Sequence, residues 1–402
     1  MGIQSLFDIF EYNEHELFLV GGAVRDLLLG GTPHDYDFAT DALPEEIETW
    51  FEHTSTIGSR FGTIGVIIDQ NTYEITTYRK DSDYIDGRHP EQVAFTWDFK
   101  EDVKRRDFTI NGLLMDRHGA IFDCVGGIKD LEKGIVRCIG DPFKRFEEDK
   151  LRKWRGIRLA TEKDMVLEEK TQAAIEADPD LTGVSIERIQ EEFKRIIMAE
   201  KVDFGGALLI KTGLLDSLMQ SIFLEKKPEY RNDLSTAFES MLYLPQKFPM
   251  RLGALLLKLR AEDRLFFLKA MKFSKKERQM AMKYCQYYQV DAQKDIIAFK
   301  KALATFGLQE AKQLVRFQEG LSQYAKQHIE AYVQKNKVVL NRIIVEKEPL
   351  TTKDLAINGT DLQNLGITGE AIKKTLENTL DYVYRYPEKN DKQVLLKRLE
   401  SR

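Results

Sequence analysis

Along the first 140 residues, short apolar runs alternate with glycine-rich turns, and helical spacing replaces them further on. The runs FLVGG (18–22), YDFAT (36–40), TIGVIID (63–69), YEITTYR (73–79) and AIFDCV (120–125) have strand length and strand composition. From residue 143 onward, apolar positions recur at helical intervals, and no proline interrupts the chain between Pro249 and Pro349. The pattern predicts an α+β N-terminal head followed by an all-α neck, body and tail. Breaks are expected near Pro142, at Lys201–Gly206 and within 290–305, which divides the chain into 1–140, 141–200, 201–300 and 301–402.

Composition narrows the class. The chain has 402 residues, 43% of them apolar and 31% charged, as in a water-soluble globular protein with room for several cores. No apolar run reaches the roughly 18 residues of a membrane span, so no membrane association is expected. No basic segment precedes an apolar stretch at the N-terminus, so no secretory signal is expected either. Cys124, Cys138 and Cys285 are unclustered, which fits a reducing cytoplasm better than a disulfide framework or a zinc site. A net charge of −5 argues against indiscriminate nucleic-acid binding but leaves room for a local basic groove.

The densest chemistry lies in LVGGAVRDLLLGGTPHDYDFAT. A strand running into Gly21-Gly22 and then a helix brings backbone N–H groups close to an anion, and Arg25 lies one turn into that helix. Asp35 and Asp37, two residues apart in a strand, would project from one face. Two adjacent carboxylates repel unless a cation lies between them, and carboxylates beside a phosphate site suit Mg²⁺. The expectation is phosphoryl or nucleotidyl transfer, with Asp35 and Asp37 as catalytic metal ligands and Glu74, in YEITTY, as a candidate third carboxylate. Gly-Gly followed by Asp-x-Asp resembles the signature of the DNA polymerase β nucleotidyltransferase superfamily.

Two further segments extend this. In KRRDFTIN (104–111), Arg106 can clamp a triphosphate with its planar fork, with Asp107 and Asn111 as orienting or sugar-contacting groups. In EEDKLRKWRGIR (147–158), Asp149, Arg152, Arg155 and Arg158 recur every three residues, which predicts one ridge on a helix. An Asp/Arg pair offers an acceptor beside a donor. Cytosine and adenine present an amino donor beside a ring-nitrogen acceptor, whereas uracil and guanine present the reverse order. In a desolvated pocket that mismatch discriminates strongly.

GGAVRD with DYD, then RRDFTIN, then DCVGGIKDL and IVRCIGDP, then EEDKLRKWRGIRL stand in the order and spacing of motifs A to D of the class II tRNA nucleotidyltransferases, which this chain resembles strongly over residues 17–200. The resemblance implies a catalytic head (1–140), a base-reading neck (141–200), a body (201–300) and a tRNA-binding tail (301–402). It implies addition of C, C and A to the tRNA 3′ end from CTP and ATP, with Mg²⁺, in the cytoplasm, by the protein alone or as a homodimer. Gly22, Arg25, Arg106, Asp149, Arg152, Arg155 and Arg158 are then nucleotide-binding. Relatives with narrower activities are A-adding enzymes, CC-adding enzymes and poly(A) polymerases. The polar stretch Lys80–Ala94, with Asp83, Asp86, Gly87 and Arg88, resembles the loop that CCA-adding enzymes use and CC-adding enzymes shorten. Phe61, in IGSRFGT, departs from the histidine of many CCA-adding relatives, and Arg60-Phe61 resembles poly(A) polymerases. Gly112 stands where alanine is more usual. In the helical half, Ser274 and Glu277 predict a helix cap beneath a cluster of five cations in 271–283, and Gly359, Gly366 and Gly369 precede a helix bearing Lys373-Lys374.

Overall fold

The computed structural model describes residues 2–56, 61–81, 93–225, 230–325 and 330–401. Asp83, Asp86, Gly87 and Arg88 of the polar stretch, and Arg60, lie outside the described residues. The chain forms two compact units, residues 1–231 and 232–402.

The first unit is built on a seven-stranded sheet of order β3-β4-β5-β2-β1-β8-β9. Its strands are β1 Leu17–Val20, β2 Asp37–Thr40, β3 Thr54–Ser55, β4 Thr63–Ile68, β5 Asn71–Thr77, β8 Leu113–Met115 and β9 Ile121–Asp123. A separate antiparallel ribbon joins β6 Arg79–Asp81 to β7 Val93–Phe95, and a parallel pair joins β10 Ile135–Val136 to β11 Val166–Leu167. All four residues of β1 are buried, which explains its continuous apolar run and its central place. β2 and β5 run parallel with Asp37 opposite Glu74, and β1 pairs antiparallel with β2 with Val20 opposite Asp37. Phe18, Val20, Ala39, Tyr78, Val103 and Leu114 form the apolar core on one side. On the other side, α1 (Gly2–Tyr12) lays Phe7 edge-on to Phe38.

Helices α2 Gly22–Leu28, α3 Pro44–Trp50, α4 Phe99–Lys104 and α5 Gly127–Glu132 complete the head. Then come α6 Pro142–Glu148, α7 Leu151–Lys163, α8 Glu169–Ala177, α9 Ile186–Met198, α10 Val202–Lys211 and α11 Leu214–Phe223. α7 is buried along most of its length, with Trp154 fully enclosed and edge-on to Phe193 of α9. β11 is a strand inside the stretch expected to be purely helical. Its pairing with β10 supplies the backbone partners that a two-residue segment between α7 and α8 cannot find locally.

From Tyr230 onward the described elements are helical: α12 Tyr230–Met241, α13 Phe248–Leu257, α14 Ala261–Ala270, α15 Lys275–Tyr287, α16 Ile296–Phe306, α17 Leu308–Ala325, α18 Glu330–Val345, α19 Gly359–Asn364, α20 Glu370–Arg385 and α21 Lys392–Glu400. The capping box at Ser274 and Glu277 forms as expected, starting α15. One apolar cluster spans Ala292 to Leu350 and another spans Leu355 to Leu395. The boundary expected at 300/301 falls inside α16, whose Phe299 and Leu303 share the first cluster, so the helix is not divisible there. Buried Lys300 donates to the Tyr384 carbonyl at 2.9 Å and pairs with Glu348 at 2.5 Å, joining α16 to α20.

Gly112 shows why alanine is absent at that position. A Cβ there would lie 2.8 Å from Val125 Cγ2 and 3.1 Å from Ile139 Cδ1, so both side chains occupy the space of a methyl group. Gly112→Ala is expected to destabilise the first unit by about 1–3 kcal/mol through overpacking, measured as a lowered urea midpoint at unchanged m-value.

Candidate active site

β1 delivers the chain to Gly21, whose φ of 67° and ψ of −130° suit glycine, and α2 starts at once. The Gly21 N–H is taken by the Leu113 carbonyl at 3.3 Å, which fixes the turn against β8. Beside the turn opens a cavity of about 280 Å³ lined by Gly21, Gly22, Asp37 and Asn111. Five arginines (105, 106, 152, 155 and 188) and three aspartates (37, 107 and 149) also line it, so its wall is net cationic and fits a polyanion.

The carboxylate pair departs from the sequence reading in one detail. Asp37 is the first residue of β2, whereas Asp35 lies in a bend before the strand; both are exposed to solvent. The two therefore do not project from a regular strand face. Asp37 lines the cavity and has Glu74 as its neighbour across the parallel pair. The protein crowded around the Asp37 carboxylate in the cavity wall partly desolvates it and raises its pKa, and the charges of Glu74 and Asp35 raise it further against a lowering by Arg106. Carboxylates that repel in this way fit a divalent cation. Among the described residues, no three His, Cys, Asp or Glu side chains are assembled to hold a metal ion, so Glu74 does not complete a ready-made three-carboxylate cage.

Arg106 turns its Nε and Nη2 to Asp102, at 3.2 and 3.0 Å, and its Nη1 toward Gly21, where a Cβ would stand 3.5 Å away. Arg25 is buried and does not line the cavity. It donates to Asn111 Oδ1 at 2.7 Å and to Asp26 Oδ1 at 2.9 Å. Asn111 in turn donates to Asp107 Oδ1 at 3.1 Å, and Asp107 Oδ2 receives Arg155 Nε at 2.8 Å. Burial opposes the ionised form of Asp107. The Arg155 charge, with hydrogen bonds from Asn111, Arg155 and the Phe108 N–H, outweighs it and holds the pKa well below the carboxylate range.

Arg152, Arg155 and Arg158 share one helix as the spacing predicts, but Asp149 does not join them. α7 starts at Leu151, and Asp149 sits in the break after α6 with an extended φ of −145°. Asp149 is held in the break by its own side chain, which accepts from the Leu151 N–H at 3.0 Å. Its other oxygen receives Arg188 of α9 at 2.8 Å. Arg152 donates to Glu148 at 2.6 Å and to the Arg105 carbonyl at 3.1 Å. Arg158 does not line the cavity: it is buried between Glu162 and Glu192, where it fastens α7 to α9. Sequence reasoning picked out the Arg105-Arg106 cluster but gave a role to Arg106 alone, and it missed Arg188. Arg188 reads as one of several cations on the polar face of an amphipathic helix, and no local signal marks it. Phe61 directs its carbonyl to the Arg79 guanidinium.

Residues 17–137 match the family described as the poly A polymerase head domain, and residues 164–224 match the one described as the probable RNA and SrmB-binding site of polymerase A. The chain is 46% identical to the CCA-adding enzyme of Enterococcus faecalis over 198 residues, spanning about half of that protein (49% of each chain). With the CCA-adding enzyme of a Geobacillus species it is 33% identical over 362 residues, covering 89% of this chain and 85% of that one. The chain belongs to the CCA-adding enzyme family. The crystal structure of the Bacillus stearothermophilus CCA-adding enzyme in complex with CTP superposes with a TM-score of 0.81 at 28% identity, over 99% of this chain and 96% of that one. The Thermotoga maritima CCA-adding enzyme, solved with tRNA, shares the fold at a TM-score of 0.68 and 19% identity. Among the described residues of this family member, no helix is long and apolar enough to cross a membrane.

Because the Asp107–Arg155 pair joins the head to α7, Asp107→Ala is expected to cost about 1–3 kcal/mol of stability at neutral pH. The depressed pKa makes the Asp107 contribution fully present above the ordinary carboxylate range and lost as pH falls below it. Urea midpoints of the wild type and Asp107→Asn, measured from pH 6 down to pH 2, should therefore converge as the pH falls.

Proposed function

We propose that the protein adds C, C and A to the 3′ end of tRNA, taking CTP and ATP and releasing pyrophosphate, without a nucleic-acid template. The observation that carries this reading is the placement of Asp149 and Arg152, a base-edge acceptor and donor, in the same cationic cavity as Asp37 and Arg106. The family and its CTP-bound relative support it. Within this reading, Asp149 accepts from the amino group of cytosine or adenine and Arg152 donates to the adjacent ring nitrogen. Uracil and guanine set a carbonyl acceptor against Asp149 and an N–H donor against Arg152, so neither base edge is matched. Arg106 and Arg105 take the triphosphate, Arg155 and Asp107 set the position of α7, and Arg25 holds Asn111. The 3′-hydroxyl oxygen bonds to the α-phosphorus as the bond to the β-phosphate oxygen breaks, so that pyrophosphate departs.

Asp35 and Asp37 are the residues that would hold Mg²⁺, which when bound lowers the pKa of the attacking hydroxyl and neutralises charge on the leaving phosphates. The head, neck, body and tail keep the roles the resemblance implies. Lys275 and Lys276 on α15 and Lys373 and Lys374 on α20 are exposed and contact tRNA phosphates, which suits recognition by shape and backbone. The work is done in the cytoplasm, where tRNA is matured.

The test offers tRNA transcripts ending at the discriminator base, at C or at CC, each with CTP, ATP or both. Full CCA on the first transcript supports the reading. A-only extension of the CC transcript, or long A tails, replaces it with A addition or polyadenylation. Asp35→Ala should abolish incorporation while tRNA binding by gel shift stays within about twofold of wild type, since Coulombic phosphate contacts elsewhere dominate binding.

A further inference from the structure

Two of the arginines lining the cavity are governed by a carboxylate that does not line it. Arg105 and Arg106 follow the last residue of α4 and fold back onto Asp102, three and four positions earlier. Asp102 Oδ1 accepts Arg105 Nε at 2.8 Å and pairs with its Nη2 at 2.7 Å. Oδ2 accepts Arg106 Nε at 3.2 Å and Nη2 at 3.0 Å. Asp102 is 1% exposed, so it meets no ligand in the cavity. Burial opposes its ionisation, but the Arg106 and Arg105 charges prevail and keep its pKa below the usual carboxylate range. Its Oδ1 also receives the Arg79 N–H of β6 at 3.4 Å.

This pairing fixes the side of Arg106 that faces away from the turn and leaves Nη1 toward Gly21. The arginine is thus oriented before any ligand arrives. A free arginine would lose rotamer freedom on binding, and two unpinned guanidiniums one residue apart would repel each other.

We infer that Asp102 is a positioning residue that holds Arg105 and Arg106 as a fixed two-armed clamp for the pyrophosphate end of the incoming nucleotide. The inference rests on the nucleotidyl-transfer reading above. It goes further in assigning phosphate affinity to a buried group that does not line the cavity.

The test uses the full chain with Mg²⁺ and measures equilibrium binding of CTP, CMP and inorganic pyrophosphate. In Asp102→Ala, CTP and pyrophosphate should each bind about tenfold or more weakly, as loss of a charge-assisted clamp implies, and CMP within about twofold of wild type. KM for CTP should rise while kcat at saturating CTP is largely kept. Equal weakening of CTP and CMP, or unchanged pyrophosphate binding, overturns the inference. Asp102→Asn preserves shape without charge and decides the matter if the alanine variant does not fold, with the same split expected. If pyrophosphate binding depends on Asp102 but the wild type binds UTP as tightly as CTP, the clamp stands and the base-templating reading falls.

Discussion

The site depends first on one buried carboxylate, Asp107. It is 8% exposed and receives the Phe108 N–H, Asn111 and Arg155. Through Asn111 it reaches Arg25 on the helix of the glycine turn, and through Arg155 it reaches α7. A continuous chain of charged and amide groups therefore runs from the helix of the glycine turn to α7. Such a chain is worth its desolvation only when every member is satisfied. Here each link has a partner, so the distance between Gly21 and the start of α7 is set by hydrogen bonds rather than by apolar packing alone.

The same economy governs the remaining cations. A cavity walled by five arginines would repel itself, yet each guanidinium is held by an acid or a carbonyl of the first unit. Arg106 and Arg105 use Asp102, Arg155 uses Asp107, Arg188 uses Asp149, and Arg152 uses Glu148 and the Arg105 carbonyl. Donors fixed before the ligand arrives lose little freedom on binding, and this is the physical basis of electrostatic preorganisation. The Arg152–Arg105 contact has a second effect. It attaches the Arg152 side chain to the backbone of the segment bearing Arg105 and Arg106, so under the proposed roles both ends of the nucleotide meet one rigid frame.

Much of this was legible in the chain because local rules and tertiary structure agree. The apolar runs at 18–22, 36–40, 63–69, 73–79 and 120–125 became β1, β2, β4, β5 and β9, and the Gly-Gly turn did stand between strand and helix. Asp149 and Arg158 were misplaced for two reasons: periodicity cannot see where a helix restarts, nor which neighbouring helix packs against a given position. The break after Glu148 took Asp149 off the ridge, and α9 approached closely enough for Glu192 to claim Arg158. Arg105 stood out as part of a basic cluster but had no role assigned, because its place arises from fold-back onto Asp102. Arg188 was overlooked because it lies on a helix some 39 residues downstream of Asp149; neither leaves a local pattern. The two-residue strands β3, β10 and β11 are likewise too short to show a period.

The central claim is that the protein itself reads the base through Asp149, steadied by Arg188, beside Arg152. Single-turnover incorporation of CTP against UTP onto tRNA ending at the discriminator base tests it most directly, comparing wild type with Asp149→Ala and Arg188→Ala. The account predicts that the wild type prefers CTP by about a hundredfold or more, as an unpaired polar edge in a desolvated site implies. The preference should collapse in Asp149→Ala, chiefly through lost CTP incorporation, and fall partway in Arg188→Ala. A CTP preference that survives intact in Asp149→Ala would contradict it.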